Sequence, residues 1–258
     1  MDNIFQFTMS GLTAGLRVVH IAALQLMTCE INQSIRQVFE NPELNGFDYI
    51  PVSSRKRIVG ILERERAADE GTVKESMRAL DDSLLVSADE PLTSFVQCLK
   101  TSPYRLVVKG TEIKGIVTRS DLIKLPVRLV AFTQICHLEM EITTLIKARC
   151  DDDNVWVKRL KKKRRDRLKE RQEAHRKRNL ELRIVELADF GDKAVGLVKL
   201  LGLNSTSDQE LGEIQELRND IAHSKDYGKT EADLDRFLER LALTSRWIRR
   251  VSRLAGTA

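Results

Sequence analysis

An α+β fold is predicted: two copies of a small αβ unit, then an all-α helical bundle. Three observations carry it. Pro42, Pro51, Pro91, Pro103 and Pro126 all lie in the first half and none follows, which suits a helical second half because proline removes a backbone donor and clashes with the preceding turn. Apolar residues then recur at helical spacing, at Ile135, Leu138, Ile142, Leu145 and Ile146 and again at Leu187, Phe190, Ala194, Leu197 and Leu201. The first half instead repeats one order of short apolar runs and polar turns.

Each element follows from that pattern. In the first copy, Ile31 to Arg66, a helix (INQSIRQVFEN) precedes a strand (FDYIPV), a turn (SSRKR) and a second strand (IVGILER). In the second, Pro91 to Leu122, the order is helix (PLTSFVQCLKT), strand (YRLVV), turn (KGTE) and strand (IKGIVTRSDL). Neither copy is large enough to bury its own apolar face, so the two are expected to pair. Beyond them, helices are expected near 126–149, 153–201 with a break, 208–224 and 230–254, with starts at Ser207-Asp208 and at Thr230 with Asp233, and with Gly202 and Gly228 in the turns. The expected boundaries are 1–66 and 67–124 for the αβ units and 125–258 for the helical domain, including a basic helical arm at 158–178.

Composition sets limits. The chain has 258 residues, 42% apolar and 31% charged, which is that of an ordinary globular protein. No uninterrupted apolar run approaches the roughly 20 residues that span a bilayer, and MDNIFQFTMSG lacks a basic-then-apolar leader. A cytoplasmic protein without membrane contact is expected. Cys29, Cys98, Cys136 and Cys150 are scattered, so reduced thiols that mostly fill core are expected, with no metal site.

The net charge of +5 conceals an asymmetry, because Lys158 to Arg178 holds thirteen Lys or Arg against Asp166, Glu170 and Glu173, a local excess of +10. Such a block repels itself unless a polyanion lies near. Lys158, Arg159, Lys161, Lys162, Lys163, Arg164 and Arg165 are therefore expected to contact RNA phosphates on a solvated arm. Trp156 just before them could stack on a base, although a core position suits it as well.

The run Leu217-Arg218-Asn219-Asp220-Ile221-Ala222-His223 places an Arg and a His five positions apart on one helix, with an Asn after the Arg. A histidine moves protons near neutral pH, a guanidinium holds a phosphate that gains charge, and an amide can orient either. Ile214, Leu217 and Ile221 mark the buried face, so His223 should point away from its own core.

Two resemblances bear on these residues. Gly115-Ile116-Val117-Thr118-Arg119-Ser120-Asp121-Leu122 and the repeat around it resemble a tandem pair of cystathionine-beta-synthase-type (CBS) domains. By that resemblance Thr118 would touch the phosphate and Asp121 the ribose of a regulatory adenine nucleotide or related ligand. Ser120 and Asp121 equally suit a plain helix cap. The first copy departs from the pattern: Glu63 would repel phosphate and Arg66 cannot accept from ribose, so one competent pocket is expected rather than two. Arg218 to His223 resembles the Arg-x(4 to 6)-His signature of HEPN domains, a family of helical nucleases and nucleotide-associated domains. That resemblance implies a metal-independent endoribonuclease working as a homodimer, with Arg218, Asn219 and His223 as catalytic residues and Glu139 supporting the Arg. It also implies a role in stress or phage defence. Some members continue His-x-Tyr, whereas here the tyrosine is Tyr227.

Together these features predict a nucleotide-sensing CBS pair regulating RNA cleavage by 2′-hydroxyl attack, with no catalytic cofactor. The alternatives are a non-catalytic nucleotide-sensing regulator that binds RNA or protein, and an enzyme that acts on mononucleotides in the CBS cleft.

Overall fold

The computed structural model describes Gly11, residues 13–223 and residues 227–256. The N-terminal stretch read for a leader lies, apart from Gly11, outside the described residues. Two compact units divide the chain, one formed by Ala14–Val127 and the other running from Arg128 onward.

In the αβ unit the repeat becomes two sheets of matching topology. Strands β1 (Cys29–Glu30), β2 (Tyr49–Ser54), β3 (Arg57–Glu63) and β4 (Arg78–Ala79) form one sheet in that order. Strands β5 (Leu85–Ser87), β6 (Tyr104–Lys109) and β7 (Glu112–Thr118) form the other. In each, a parallel pair is followed by an antiparallel hairpin, and the hairpins bulge at the same place, Val52/Ser53 and Val107/Val108. Helix α1 (Ile35–Glu40) of the first copy starts at Ser34, whose hydroxyl accepts from the Gln37 amide. A short helix α2 (Val73–Ser76) precedes β4, and α3 (Leu92–Phe95) is the second copy's counterpart of α1. It passes into a 3₁₀ turn, Val96–Lys100, where one regular helix was expected.

The first copy has its own core in Val38, Ile50, Val52 and Leu62. A second cluster joins residues from both copies, Ile61 with Leu84, Tyr104 and Leu106. Equivalent tyrosines meet across the pairing, Tyr49 against Tyr104 with ring centroids 4.4 Å apart. Equivalent glycines are used alike as well. A Cβ at Gly60 would overlap the Arg78 carbonyl oxygen of β4, and one at Gly115 would lie 2.8 Å from the Ala23 carbonyl oxygen. Gly60→Ala is therefore expected to cost about 1–3 kcal/mol, the usual range for overpacking. The readout is a lower urea midpoint at unchanged slope; an unaltered midpoint would show that β4 can move aside.

The helical unit is built on α4 (Leu125–Arg149), which buries Val130, Ile135, Leu138, Ile142, Leu145 and Ile146. By length and composition α4 could cross a membrane, with a mean hydropathy of 1.2 in its most apolar stretch. The expectation that no segment reaches that length rested on uninterrupted apolar runs, and α4 is interrupted by single polar residues. Its buried side chains belong to the helical core, while Leu129 and Phe132 on the same helix are exposed. The expected broken helix resolves into α5 (Asn154–Val157), α6 (Lys162–Arg176), α7 (Ile184–Leu187) and α8 (Phe190–Leu200). Gly202 turns the chain at φ 61°, a conformation glycine adopts without steric cost.

Helix α9 (Ser205–Ala222) starts earlier than Ser207-Asp208, because Asn204 caps it: the Asn204 Oδ1 accepts from the Ser207 amide at 3.0 Å. Helix α10 (Glu231–Gly256) starts where expected, with Thr230 and Asp233 bonding reciprocally. Trp156 is fully buried against Gly196, which settles its core position. Cys29 and Cys150 are buried, but Cys98 is exposed and Cys136 only half-buried, so the core-filling expectation fails for Cys98. Burial pushes the Cys29 thiol up to about 11, which keeps it inert.

Candidate functional site

Two groups of residues carry chemistry, one in each unit. In the αβ unit β7 ends at Thr118, and a 3₁₀ turn (Arg119–Ile123) follows. The Thr118 amide donates to Asp121 Oδ2 at 2.6 Å, while Lys124 Nζ lies 2.7 Å from Asp121 Oδ1 and donates to the Ile21 carbonyl at 2.5 Å. Asp121 is buried, and the Thr118 and Ser120 hydroxyls are hydrogen-bonded to each other at 2.8 Å. The capping geometry is thus formed, and both carboxylate oxygens are engaged. A ribose hydroxyl reaching Asp121 would share its carboxylate with Lys124 or displace that amine, which is partly exposed.

At the equivalent place in the first copy, Glu63 is engaged by Arg66 at 3.2 Å and by the Tyr104 hydroxyl, which donates at 2.5 Å. Burial and the Glu63 charge raise the Tyr104 hydroxyl above its ordinary value. Arg78 and Arg105 join Glu63, Arg66 and Tyr104 around a polar cavity of ≈ 320 Å³. Neither of those two arginines was legible as a lining residue, since β4 brings Arg78 there through sheet order alone.

In the helical unit α9 buries Leu211, Ile214, Leu217 and Ile221, and His223 caps its C-terminal end as an exposed residue. Arg218 and Asn219 are half-buried one turn earlier, with Arg218 Nη1 3.4 Å from Asn219 Oδ1. Across from them on α4 sits Cys136, whose thiol is raised by burial and the Glu139 charge and lowered by the nearby Arg218. Glu139 pairs with Lys193 at 2.7 Å rather than with Arg218. Lys193 is buried on α8, and no spacing in the sequence connects it to this place. Among the described residues no carboxylate forms an ion pair with Arg218. By contrast Asp220 lies 3.7 Å from Arg240, which also pairs with Glu216. Tyr227 is buried and stacked on Phe237, with centroids 4.7 Å apart, and desolvation raises its hydroxyl to about 12.

The basic run does not form the expected solvated arm. Leu168 anchors α6 in the core, and Arg164 pairs with buried Asp192 at 2.8 Å. Arg167 reaches Asp189 at 2.7 Å and Asp192 at 3.1 Å, and Arg171 reaches Asp189 at 3.2 Å. Of the seven proposed RNA contacts, Arg164 is therefore committed internally. Arg159 and Arg165 donate to the carbonyls of Lys199 and Lys158, and Lys158, Lys161, Lys162 and Lys163 remain exposed. Among the described residues no group of three His, Cys, Asp or Glu gathers in a way that could hold a metal ion.

Residues 75–128 match the CBS domain family, so a CBS domain lies in that stretch, and Thr118 and Asp121 fall inside it. The match stops at the start of α4 and does not reach the helices beyond. Solved structures similar to the chain are CBS domain proteins. The CBS domain of a bacterial CNNM/CorC family Mg²⁺ transporter in complex with ATP is 16% identical over 49% of this chain and 96% of that one, with a TM-score of 0.38. CBSX2 in complex with AMP is 16% identical over 42% and 94%, with a TM-score of 0.36. A CBS domain protein of Thermoplasma acidophilum is 19% identical over 46% and 75%, also at 0.36. At that distance these likenesses carry no ligand or activity across to this chain. No curated relative matches it.

Proposed function

We propose that the CBS pair senses an adenine nucleotide and regulates metal-independent RNA cleavage by the helical unit of a cytoplasmic homodimer. The observation that carries the nuclease reading is Arg218. It is a half-buried guanidinium without a carboxylate ion pair among the described residues, one turn from an exposed imidazole, while Arg164, Arg167, Arg171, Arg183 and Arg240 are all paired. A cation left unneutralised beside a proton-transfer group suits a phosphate that gains charge.

In the reaction the ribose 2′-oxygen bonds to phosphorus as its proton passes to one imidazole, and the bond to the 5′-oxygen breaks as that oxygen takes a proton from a second. The products are a 2′,3′-cyclic phosphate and a 5′-hydroxyl. One chain offers one His223, so a second copy supplies the other. Nucleotide binding exchanges the Lys124 contact on Asp121 for ribose hydroxyls, with Thr118 at the phosphate. Its coupling to cleavage needs only that the nucleotide prefer one arrangement of the dimer.

Incubation of the purified protein with single-stranded RNA and a chelator tests both halves. Cyclic-phosphate ends are expected, at a rate that AMP or ATP changes, and saturating nucleotide should stabilise the fold by about 2–3 kcal/mol at a hundredfold excess over Kd. Asp121→Ala should abolish that stabilisation. An intact RNA population would leave the non-catalytic regulator in its place.

A further inference from the structure

We propose that α10 carries a docking surface for the phosphodiester backbone of single-stranded nucleic acid, at the end of the helical unit remote from His223. Arg246, Arg249, Arg250 and Arg253 recur at spacings of three and four residues, which stacks them on one helix face. With Glu210 and Trp247 they line a groove of ≈ 670 Å³. The Arg250 guanidinium lies 4.6 Å from the centre of the Trp247 ring. Arg149 of α4 adds a fifth guanidinium at the same end, donating to the Leu254 carbonyl at 3.1 Å.

Neutralisation separates this ridge from the basic run. Among the described residues no carboxylate forms an ion pair with Arg246, Arg249 or Arg250, whereas Arg164, Arg167 and Arg171 of α6 are held by Asp189 and Asp192. The groove contains one acid, Glu210, and its Oε2 accepts from Trp247 Nε1 at 2.9 Å. On the far side Glu141 accepts from Ser252 at 2.8 Å. Like charges this close cost free energy unless an anion lies among them, and planar guanidinium forks match phosphate oxygens in pairs.

The remaining choice is between nucleic acid and an anionic membrane. A helix that binds a membrane surface needs an apolar face to insert. Here the apolar face of α10 is spent on the core through Phe237, Leu238, Leu241, Trp247 and Val251, and no exposed large apolar side chain is found on the helix. A groove with four arginines around one indole, and with Leu243 and Leu254 in its wall, suits a polyanion strand whose bases can rest on apolar surface. Arg250 Nη1 lies 3.4 Å from Ser207 Oγ in the first turn of α9. His223 ends the same helix, about 24 Å away at 1.5 Å of rise per residue.

The inference deepens the RNA reading above and shares its partner class, but does not depend on His223 chemistry. A single-stranded DNA oligonucleotide is therefore the probe, since it has no 2′-hydroxyl to attack and binding is read without cleavage. Fluorescence anisotropy on the full chain is expected to show binding that weakens with salt. R246A/R249A should weaken it about tenfold and lower the log–log salt slope by about 1.4, from roughly 0.7 per phosphate contact on a single strand. K161A/K162A/K163A should have the smaller effect. Circular dichroism establishes that both variants are folded. Binding unchanged in R246A/R249A, or lost only in the lysine variant, overturns the proposal, as does binding to phosphatidylserine vesicles without binding to the oligonucleotide.

Discussion

His223→Ala is expected to lower RNA cleavage by about 10²- to 10⁴-fold, the contribution of a positioned general acid or base. In the proposed dimeric site two copies of the imidazole would serve one phosphodiester, so the substitution would remove acid and base together and the upper part of that range is expected. Stability should hardly change, because His223 is exposed at the end of α9 and forfeits only a helix-dipole contribution of about 0.3–1 kcal/mol. Arg218→Ala should cause a comparable loss, while Asn219→Ala, which removes only an orienting amide, should cause a smaller one. Mixing wild-type with His223→Ala protein gives a sharper readout. If the site is composite, the heterodimer keeps one imidazole of the two, and activity should fall below the share contributed by the wild-type chains alone. Wild-type cleavage by His223→Ala protein would remove this histidine from the reaction.

Asp153→Ala should destabilise the helical unit by about 1–3 kcal/mol, the cost of leaving the buried Trp156 Nε1 and Val185 amide without an acceptor, since the partly exposed Arg183 can turn to water. Asp153 is 8% exposed and ties the start of α5 to the start of α7. Its Oδ1 accepts from Arg183 at 2.7 Å and from Trp156 Nε1 at 3.2 Å, and its Oδ2 accepts from the Val185 amide at 3.3 Å. Burial pushes the carboxyl up, but Arg183, Trp156 and the Val185 amide together outweigh that and hold it below its ordinary value. A depressed folded value stabilises the protein above the unfolded carboxyl pKa of about 3.9, and that stability is lost as pH falls through the folded value. Chemical denaturation between pH 7 and pH 3 should show this acid-dependent loss in the wild type and a shallower one in Asp153→Ala. Parallel pH profiles would mean that the hub holds no special carboxylate.

Much of the architecture was legible because it follows from local rules. The two αβ copies appear as repeated runs and turns, and Tyr49 and Tyr104, Gly60 and Gly115, and the paired bulges occupy equivalent places in the two sheets. Thr230 and Asp233 marked a helix start that the structure also uses. The candidate site was legible only in part. The spacing of Arg218, Asn219 and His223 could be read along one helix, but Lys193 on Glu139 could not, because the two lie 54 residues apart. The fate of the basic run was hidden for the same reason: Arg167 meets acids 22 and 25 residues downstream.

By itself the sequence determined the order of strands and helices, the buried stripes of α4 and α9, and the placement of His223 opposite its own core, since hydrophobic periodicity and capping act within a few residues. Only the tertiary structure decided which charges remain available to a ligand. It joined Arg164 to Asp192 and Lys124 to Asp121, and left Arg218, Arg246 and Arg249 without a carboxylate among the described residues. An ion pair depends on distance in space, and side chains far apart along the chain acquire that distance only when the fold packs their helices together.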